Sequence, residues 1–357
     1  MVLNSATEKP KRIKKVLKAT GISVAALIIV VIIVFFALFH NEVATIMTVE
    51  QTGQTDLFTM EYKNDYGLDD FLEVGASTDA ELVGFISKRM LKGIPLSFEL
   101  PDLGCSTFLA KTPDNDYIFG RNFDNKDTPV LMLTTKPENG YKSLSVVNLS
   151  FIGYDKTYLP DSLLNRILIL AAPYAPLDGI NEKGVSIGVL QLDSVSTAQE
   201  SGKVKITTTA AIRLILDKAA NVDEAIELLK QYDMRSSAGA CYHFQISDAS
   251  GRSVVIEYVN NELVVLDEDY ATNFYLAKDL EAEGCGGYER YDILKEKLES
   301  SDGILTADQG MELLEAVKQG NDSETPTQWS VVYNNTSKTA RLCLHMDYGN
   351  PHDFKIE

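Results

Sequence analysis

The sequence predicts an α+β protein whose folded body follows one apolar helix near the N-terminus. Residues 105–124 have the composition of two short strands around a turn, and residues 242–266 alternate in three short runs typical of antiparallel strands. Residues 207–220 and 306–318 instead have helical patterns. Strands and helices therefore both contribute to the body.

The apolar helix is predicted over residues 21–39, an uncharged run long enough to span a bilayer. The basic tail before it, residues 1–20, predicts a cytoplasmic N-terminus and an extracytoplasmic body. A cleaved signal peptide is the alternative, but the run exceeds the usual apolar region of about 7–15 residues. Residues 40–42 also offer no small-residue cleavage site. We therefore favour an uncleaved, single-pass signal anchor that attaches the chain to the cell membrane.

Residues 40–104 are interpreted as a pro-region or small subunit. Within them, residues 80–92 carry apolar side chains at helical spacing, and Gly93-Ile94-Pro95 ends that pattern. A structureless linker has no need of such a helix. We therefore expect this segment to pack on a domain formed by residues 105–357.

Composition excludes several function classes. The 357 residues carry a formal net charge of −18, and such an acidic body argues against nucleic-acid binding. No two of the four cysteines have the C-x-x-C spacing of a zinc site. The acids at 114, 116, 124 and 127 do not have calcium-loop spacing. The sequence therefore predicts no metal and no cofactor, and it favours buried free thiols over a disulfide among Cys241, Cys285 and Cys343.

The two strands of 105–124 form a predicted β-hairpin around residues 112–116, which are rich in turn-forming Pro, Asn and Asp. The first strand begins at Cys105, and the second ends at Arg121 and Asp124. If the strands pair, a thiol, a guanidinium and a carboxylate meet at one end of a sheet.

A thiol reacts as its thiolate and needs a base, yet no histidine lies close to Cys105 in sequence. Cleavage between Gly104 and Cys105 would place an α-amino group, with an ordinary pKa of about 8, on the nucleophile's own residue. Asp124 could then hold this amine, and Arg121 could lower the pKa of the thiol. Gly104 suits a cleavage site because it has no Cβ.

Cys105-Ser106 and Gly120-Arg121-Asn122-Phe123-Asp124 resemble the start of the mature linear amide C–N hydrolases of the N-terminal-nucleophile class. This class includes choloylglycine hydrolases, penicillin V acylases, N-acylethanolamine amidase and autoproteolytic acyltransferases. The resemblance extends from Cys105 to the C-terminus. It implies a four-layer αββα sandwich and a thiol nucleophile released by autocatalytic cleavage.

The resemblance also implies roles for three further residues. Asn181, in the turn 178–184, and Asn273, after Thr272, match the asparagines that the family uses at the oxyanion hole. Bile salt hydrolases have Ser-Arg-Phe-x-Arg near residue 287. Gly287 stands in place of the first arginine, and Arg290 matches the second.

The sequence favours a membrane-anchored cysteine amidohydrolase that cleaves a small N-acyl amide through a thioester. An acyltransferase on the same scaffold is an alternative, distinguished by whether added amines outcompete water. A papain-like hydrolase using Cys105 and His243 and a non-enzymatic, membrane-anchored binding protein are two others. The sequence specifies neither the acyl group nor the amine of the substrate. It also leaves the oligomeric state open, and a homo-oligomer is one option.

Overall fold

A computed structural model describes residues 8–53, 56–98, 104–126, 128–277 and 286–357. The chain divides into two units, residues 1–44 and residues 45–357. The first unit consists of most of helix α1 (Glu8–Ile46), which includes residues 21–39. Among the described residues, no helix combines the length and the apolar character that crossing a membrane requires.

Strands and helices of the second unit follow one another along the chain. The strands are β1 (Glu50–Gln51), β2 (Leu57–Tyr62), β3 (Gly104–Lys111), β4 (Tyr117–Asp124), β5 (Val130–Thr135), β6 (Ser143–Asn148), β7 (Pro176–Asn181), β8 (Ser186–Leu192), β9 (Lys205–Thr207), β10 (Asp233–Arg235), β11 (Cys241–Ser247), β12 (Ser253–Val259), β13 (Glu262–Leu266), β14 (Tyr270–Ala271), β15 (Thr327–Asn334), β16 (Thr339–Leu344) and β17 (His352–Lys355). The helices are α2 (Leu68–Val74), α3 (Asp79–Arg89), α4 (Thr208–Lys218), α5 (Val222–Leu229), α6 (Tyr288–Ser300) and α7 (Ala307–Ala316), and 3-10 helices cover Leu149–Ile152, Asn165–Tyr174 and Ser237–Gly239.

Two sheets form the centre of this unit. In the described chain, the larger has the strand order β1-β2-β5-β6-β7-β8-β11-β12-β13, and the smaller has the order β14-β3-β4-β15-β16-β17. Helices α4 and α5 contact the larger sheet, while α6 and α7 contact the smaller. Residues of β8 face β3 and β4 of the smaller sheet, because a Cβ at Gly188 would lie 3.1 Å from Arg121 Cδ. The predicted α+β class and the helix–sheet–sheet–helix layering are confirmed.

The predicted hairpin is present as β3 and β4. Its register pairs Gly104 with Asp124 and Thr107 with Arg121, so both polar residues return to the start of β3. The partner of β4 on its other side is β15, in which Trp329 pairs with Phe123. This register brings the cysteine, the arginine and the aspartate to one end of the smaller sheet.

The segment before Gly104 contributes to the same unit. Strand β2 pairs in parallel with β5 and extends the larger sheet. Helix α3 begins after Thr78, whose side chain accepts a hydrogen bond from the backbone N–H of Glu81. Tyr66 is fully buried, and its hydroxyl donates to Asp217 on α4. Residues 45–98 therefore form part of the sheet and core and do not lie on the domain as a separate layer.

Candidate active site

Cys105 lies in the space between the two sheets. Side chains alternate along a strand, so Cys105 and Thr107 share one face of β3, and Thr107 contacts the Gly188 position of the larger sheet. The thiol is fully buried within the apolar core between the sheets. Burial raises the pKa of the Cys105 thiol to about 11, although the neighbouring Arg121 charge opposes that rise.

Arg121 reaches the same interior from β4 and is fully buried. Its Nε donates to Asp178 Oδ2 over 2.7 Å, while its Nη1 and Nη2 have no hydrogen-bond partner among the described residues. Burial alone would lower the pKa of Arg121, but the nearby Cys105 and Asp178 raise it. The guanidinium therefore keeps its charge and has donors available beside the thiol.

Asp178 on β7 fixes the position of that guanidinium. Its carboxylate also accepts from Trp329 Nε1 over 3.0 Å and from the Tyr333 hydroxyl over 2.5 Å. Burial raises the pKa of Asp178, while the Arg121 charge and these donors oppose the rise. The carboxylate thus joins the larger sheet to β4 and β15 of the smaller sheet.

Asp124 lies on the opposite face of the smaller sheet, toward α6 and α7. Its carboxylate accepts from Thr327 Oγ1 over 2.6 Å, from Gln319 Nε2 over 2.9 Å and from Arg290 Nη1 over 3.2 Å. Burial raises the pKa of Asp124, and the Arg290 charge opposes this. A Cβ at Gly104 would lie 2.2 Å from Gln319 Nε2, so only glycine fits beside this carboxylate without a shift.

Arg290, near the start of α6, bridges the residues around the predicted cleavage site. Its Nη1 donates to the Cys105 carbonyl over 2.6 Å and to Ser106 Oγ over 2.7 Å, and its Nη2 donates to Asn273 Oδ1 over 2.9 Å. Gly287 precedes the helix with a φ of 94°, and a Cβ there would lie 3.0 Å from Arg290 Nη2. A residue larger than glycine at 287 would therefore crowd the arginine that enters the site.

Asn273 contacts the backbone of the nucleophile. Its Oδ1 accepts from the Cys105 N–H over 2.8 Å, and its Nδ2 donates to the Gln191 carbonyl over 2.8 Å. The Cys105 N–H is thus held by a side chain, at the peptide bond that cleavage would break. Asn273 links this bond to Arg290 on one side and to β8 on the other.

The structure does not bring Asn181 into this group. Asn181 Oδ1 accepts from the backbone N–H groups of Lys183 and Val185, and its Nδ2 donates to the Leu216 and Ala219 carbonyls. These contacts lie in the turn after β7 and at the end of α4. An oxyanion role for Asn181 stays a prediction from the resemblance, with no described contact to Cys105, Asn273 or Arg290.

His243, the base of the papain-like alternative, is buried on β11 and has other partners. Its Nδ1 lies 3.2 Å from Glu257 Oε1, and its Nε2 lies 2.8 Å from the Thr272 carbonyl. Both ring nitrogens are therefore occupied by groups other than the thiol. This geometry argues against a Cys105–His243 pair.

Sequence reasoning missed four residues at the site: Asp178, Gln191, Gln319 and Thr327. Asp178 is a buried acid within a strand, and Gln191 is the partly exposed polar residue in the otherwise buried β8. For Asp178, a buried acid inside an apolar strand was the available signal. Gln191 contributes its backbone carbonyl, which no side-chain pattern marks. Gln319 and Thr327 lie 195 and 203 residues beyond Asp124, and no local pattern relates them to it.

No cluster suited to a metal ion occurs among the described residues. Cys105, Cys241 and Cys343 are free thiols, and Cys285 lies outside the described residues. Asp127, one of the acids considered for a calcium loop, also lies outside them. The described polar groups of the site are thus a thiol, amides, hydroxyls, two arginines and two carboxylates.

Comparison with known proteins relates this geometry to a family. A family model for linear amide C–N hydrolases, choloylglycine hydrolase family, matches residues 105–274. A penicillin V acylase from Pectobacterium atrosepticum is 33% identical over 99 residues, which cover 25% of this chain and 26% of the relative. A bile salt hydrolase/transferase from Clostridium perfringens is 25% identical over 174 residues, covering 46% of this chain and 51% of the relative.

These alignments span about a quarter and about half of the two relatives. A likeness of fold extends further. The crystal structure of a mutant conjugated bile acid hydrolase from Clostridium perfringens superposes with a TM-score of 0.51 at 17% identity, covering 71% of this chain and 92% of that one. The family match begins at the cysteine of the site and ends just after its asparagine. Over residues 105–274, the chain is similar to the linear amide C–N hydrolases, choloylglycine hydrolase family.

Proposed function

We propose that this protein is a cysteine amidohydrolase that cleaves the linear C–N bond of an N-acyl amide after cutting its own chain before Cys105. The main support is the arrangement around Cys105. Its thiol faces the charged Arg121, and its backbone nitrogen is held by Asn273. The bond to Gly104 lies beside Asp124, where an added Cβ would lie 2.2 Å from Gln319 Nε2 and 2.9 Å from Asp124 Cβ.

In the self-cleavage step, Cys105 Sγ attacks the Gly104 carbonyl carbon, and the peptide C–N bond breaks. The thiol proton passes to the departing nitrogen, which becomes the α-amino group of Cys105. Gly104 is left as a thioester, which water hydrolyses to a carboxylate and a free thiol. Burial raises the pKa of the Cys105 thiol to about 11 in the uncut chain, and this disfavours the thiolate. The Arg121 charge opposes this rise and therefore favours the thiolate.

Turnover uses the same atoms on an external amide. The thiol attacks the substrate carbonyl, the α-amine carries the thiol proton to the leaving amine, and water hydrolyses the thioester. Once the Gly104–Cys105 bond is broken, Gly104 is free to move away from Asp124 and Gln319. The Asp124 carboxylate can then hold the new ammonium group. Asn273 holds the Cys105 nitrogen beside the attacked bond, and we assign its side-chain amide as a donor to the oxyanion.

The relatives support an acyl group joined to an amine as the substrate class. Their names cite penicillin V and bile salts, both of which contain a linear amide. The family match supports hydrolysis or acyl transfer, and we place hydrolysis first because water needs no second binding site.

We also propose that the chain is anchored in the cell membrane, with the catalytic unit outside the cytoplasm. This proposal rests on the sequence alone, on the uncharged run 21–39 and the basic residues before it. Its test is fractionation of the full chain against a chain that begins at Thr45. Equal recovery of both chains in the soluble fraction would contradict it.

The test of the main proposal is the intact mass and N-terminal sequence of residues 45–357, measured together with turnover of an N-acyl amide. We expect a new N-terminus at Cys105 in the wild type, and neither cleavage nor turnover in Cys105→Ala. Cys343→Ala is the matched control, because burial raises the pKa of that thiol to about 11 as well. It should still be cut and active.

An uncut but active wild type would reject self-cleavage and leave the thiol with another base. A wild type that is uncut and also inactive toward linear amides would reject the amidohydrolase proposal.

A further inference from the structure

The segment that carries Asn273 is held by a buried pair of titratable side chains that the proposed reaction does not use. His243 on β11 and Glu257 on β12 have no exposed surface. The register that pairs Phe244 with Ile256 puts Glu257 opposite His243. Nδ1 of the imidazole lies 3.2 Å from Glu257 Oε1.

Both side chains bind the segment 272–277, on either side of Asn273. His243 Nε2 faces the Thr272 carbonyl at 2.8 Å, and a carbonyl oxygen only accepts, so Nε2 carries the hydrogen. Glu257 Oε1 accepts from the Leu276 N–H over 2.7 Å, and its Oε2 accepts from the Ala277 N–H over 3.0 Å. Three hydrogen bonds thus fix a short segment whose second residue touches the nucleophile.

This segment also joins the two sheets. It follows β14, which pairs with β3 in the register Ala271 with Thr107, close to Cys105. The His243–Glu257 pair belongs to the larger sheet. The pair therefore ties the Asn273 backbone to one sheet while the Asn273 side chain holds the Cys105 N–H of the other.

The His243–Glu257 pair contributes more to the geometry of the 272–277 segment than to the free energy of unfolding. Taking two ionisable groups out of water costs free energy that their mutual attraction barely offsets, and apolar replacements are often neutral or stabilising. Two apolar side chains would fill the same space. They could not hold the Thr272 carbonyl or the Leu276 and Ala277 N–H groups.

We propose that His243 and Glu257 are positioning residues, a buried clamp that sets where Asn273 meets Cys105. This inference rests on the proposed amidohydrolase function for its catalytic consequence. A displacement of a catalytic group by about 1 Å costs on the order of 100-fold in rate. Loss of the clamp should therefore lower kcat, with little effect on KM.

The test compares substitutions of His243 in which a side-chain amide nitrogen replaces one of the two imidazole nitrogens. In His243→Gln the amide nitrogen stands in for Nε2 and can still donate to the Thr272 carbonyl. In His243→Asn it stands in for Nδ1 and cannot. We expect kcat to fall less than about 10-fold in His243→Gln and about 100-fold in His243→Asn and His243→Leu.

The matched control is Gln245→Leu, a fully buried polar residue on the same strand, whose amide donates to Ser253 Oγ. It should lower stability without lowering kcat. A His243→Leu variant that folds with a normal melting temperature but loses kcat separates positioning from stability. Equal kcat in His243→Leu and Gln245→Leu, or equal losses in His243→Gln and His243→Asn, would overturn the clamp.

A second readout does not depend on catalysis. Hydrogen exchange in uncut Cys105→Ala protein reports on three backbone N–H groups. The N–H of residue 105 donates a hydrogen bond to Asn273 Oδ1. The Leu276 and Ala277 N–H groups donate to the Glu257 carboxylate. In that background we expect Glu257→Ala to expose all three N–H groups to exchange and Gln245→Leu to expose none. Unchanged protection of the residue 105 N–H in Glu257→Ala rejects the clamp, even if the wild type proves inactive and the amidohydrolase proposal fails.

Discussion

Two buried arginine–aspartate pairs make a natural comparison within this protein. Arg121–Asp178 lies between the two sheets, and Arg213–Asp217 lies on α4. In each pair a nitrogen lies 2.7 Å from a carboxylate oxygen, and all four side chains have no exposed surface. Each guanidinium carbon also lies 5.6 Å from the centre of an aromatic ring, that of Phe123 for Arg121 and of Tyr66 for Arg213.

The pairs differ in what their remaining polar atoms face. Arg213 Nη2 donates to Ser143 Oγ over 2.6 Å, while its Nε and Nη1, like two nitrogens of Arg121, have no hydrogen-bond partner among the described residues. Neither Nη atom of Arg121 has a hydrogen-bond partner in the described residues, and the neighbouring group is the Cys105 thiol. Identical local chemistry is structural in one place and, in our proposal, catalytic in the other. The difference is set by one neighbouring nucleophile.

The largest expected effect comes from removing each guanidinium. Arg121→Gln should lower kcat/KM about 1000-fold, since a donor next to the reacting sulfur is lost. Arg213→Gln should change kcat/KM of the folded fraction less than about threefold. Both should lower the free energy of unfolding by roughly 3–5 kcal/mol, because each leaves a buried carboxylate without its cation.

Kinetics normalised to the folded fraction, together with chemical denaturation, measure both quantities. Equal loss of kcat/KM in the two variants would show that the comparison fails and that Arg121 acts only through stability.

A smaller effect is expected from the tyrosines that support the two carboxylates. The Tyr333 hydroxyl donates to Asp178 and the Tyr66 hydroxyl donates to Asp217, each over 2.5 Å. Removing either hydroxyl by substitution with phenylalanine should cost about 1–3 kcal/mol of stability. Only Tyr333→Phe should also lower kcat, by roughly tenfold, because Asp178 orients Arg121. Unchanged kcat in both variants would remove Asp178 from the catalytic unit.

The smallest effect is a pH dependence of stability. Burial raises the pKa of Asp217 to about 6, although Arg213 opposes this, and an unfolded aspartate has a pKa near 3.8. As pH falls from 7 to 4, the folded state takes up a proton that the unfolded state does not, so stability rises. The wild type should gain at most a few kcal/mol over Asp217→Asn in this range. Denaturation of both at pH 4, 5, 6 and 7 measures it, and a gap that shrinks toward pH 4 would contradict the raised pKa.

Much of the fold and part of the site could be predicted from sequence because those features are local. The β3–β4 hairpin follows from alternation and turn residues, and its register brings Arg121 and Asp124 to the start of β3. Asn273 and Arg290 were placed by resemblance to the family, and the structure brings both to Cys105.

Other features depend on tertiary contacts that no sequence pattern shows. Asn181 was predicted at the oxyanion hole from its motif, but its side chain makes its described bonds in a turn and at a helix end. Gln319 and Thr327 reach Asp124 only after the chain has crossed both sheets. The parallel pairing of β2 with β5, which puts the early segment inside the larger sheet, also has no local signature.

That parallel pairing has a consequence for the proposed cut. Strand β2 and the buried Tyr66 lie before Gly104, while β5 and Asp217 lie after it. A chain cut at this point becomes two polypeptides held together by a shared sheet and core. Refolding would then require two molecules to meet, so the melting temperature of the cut protein would rise with its concentration, whereas that of the uncut chain would not. Cleavage would thus convert a chain that refolds by itself into a complex that re-forms only when its two fragments meet.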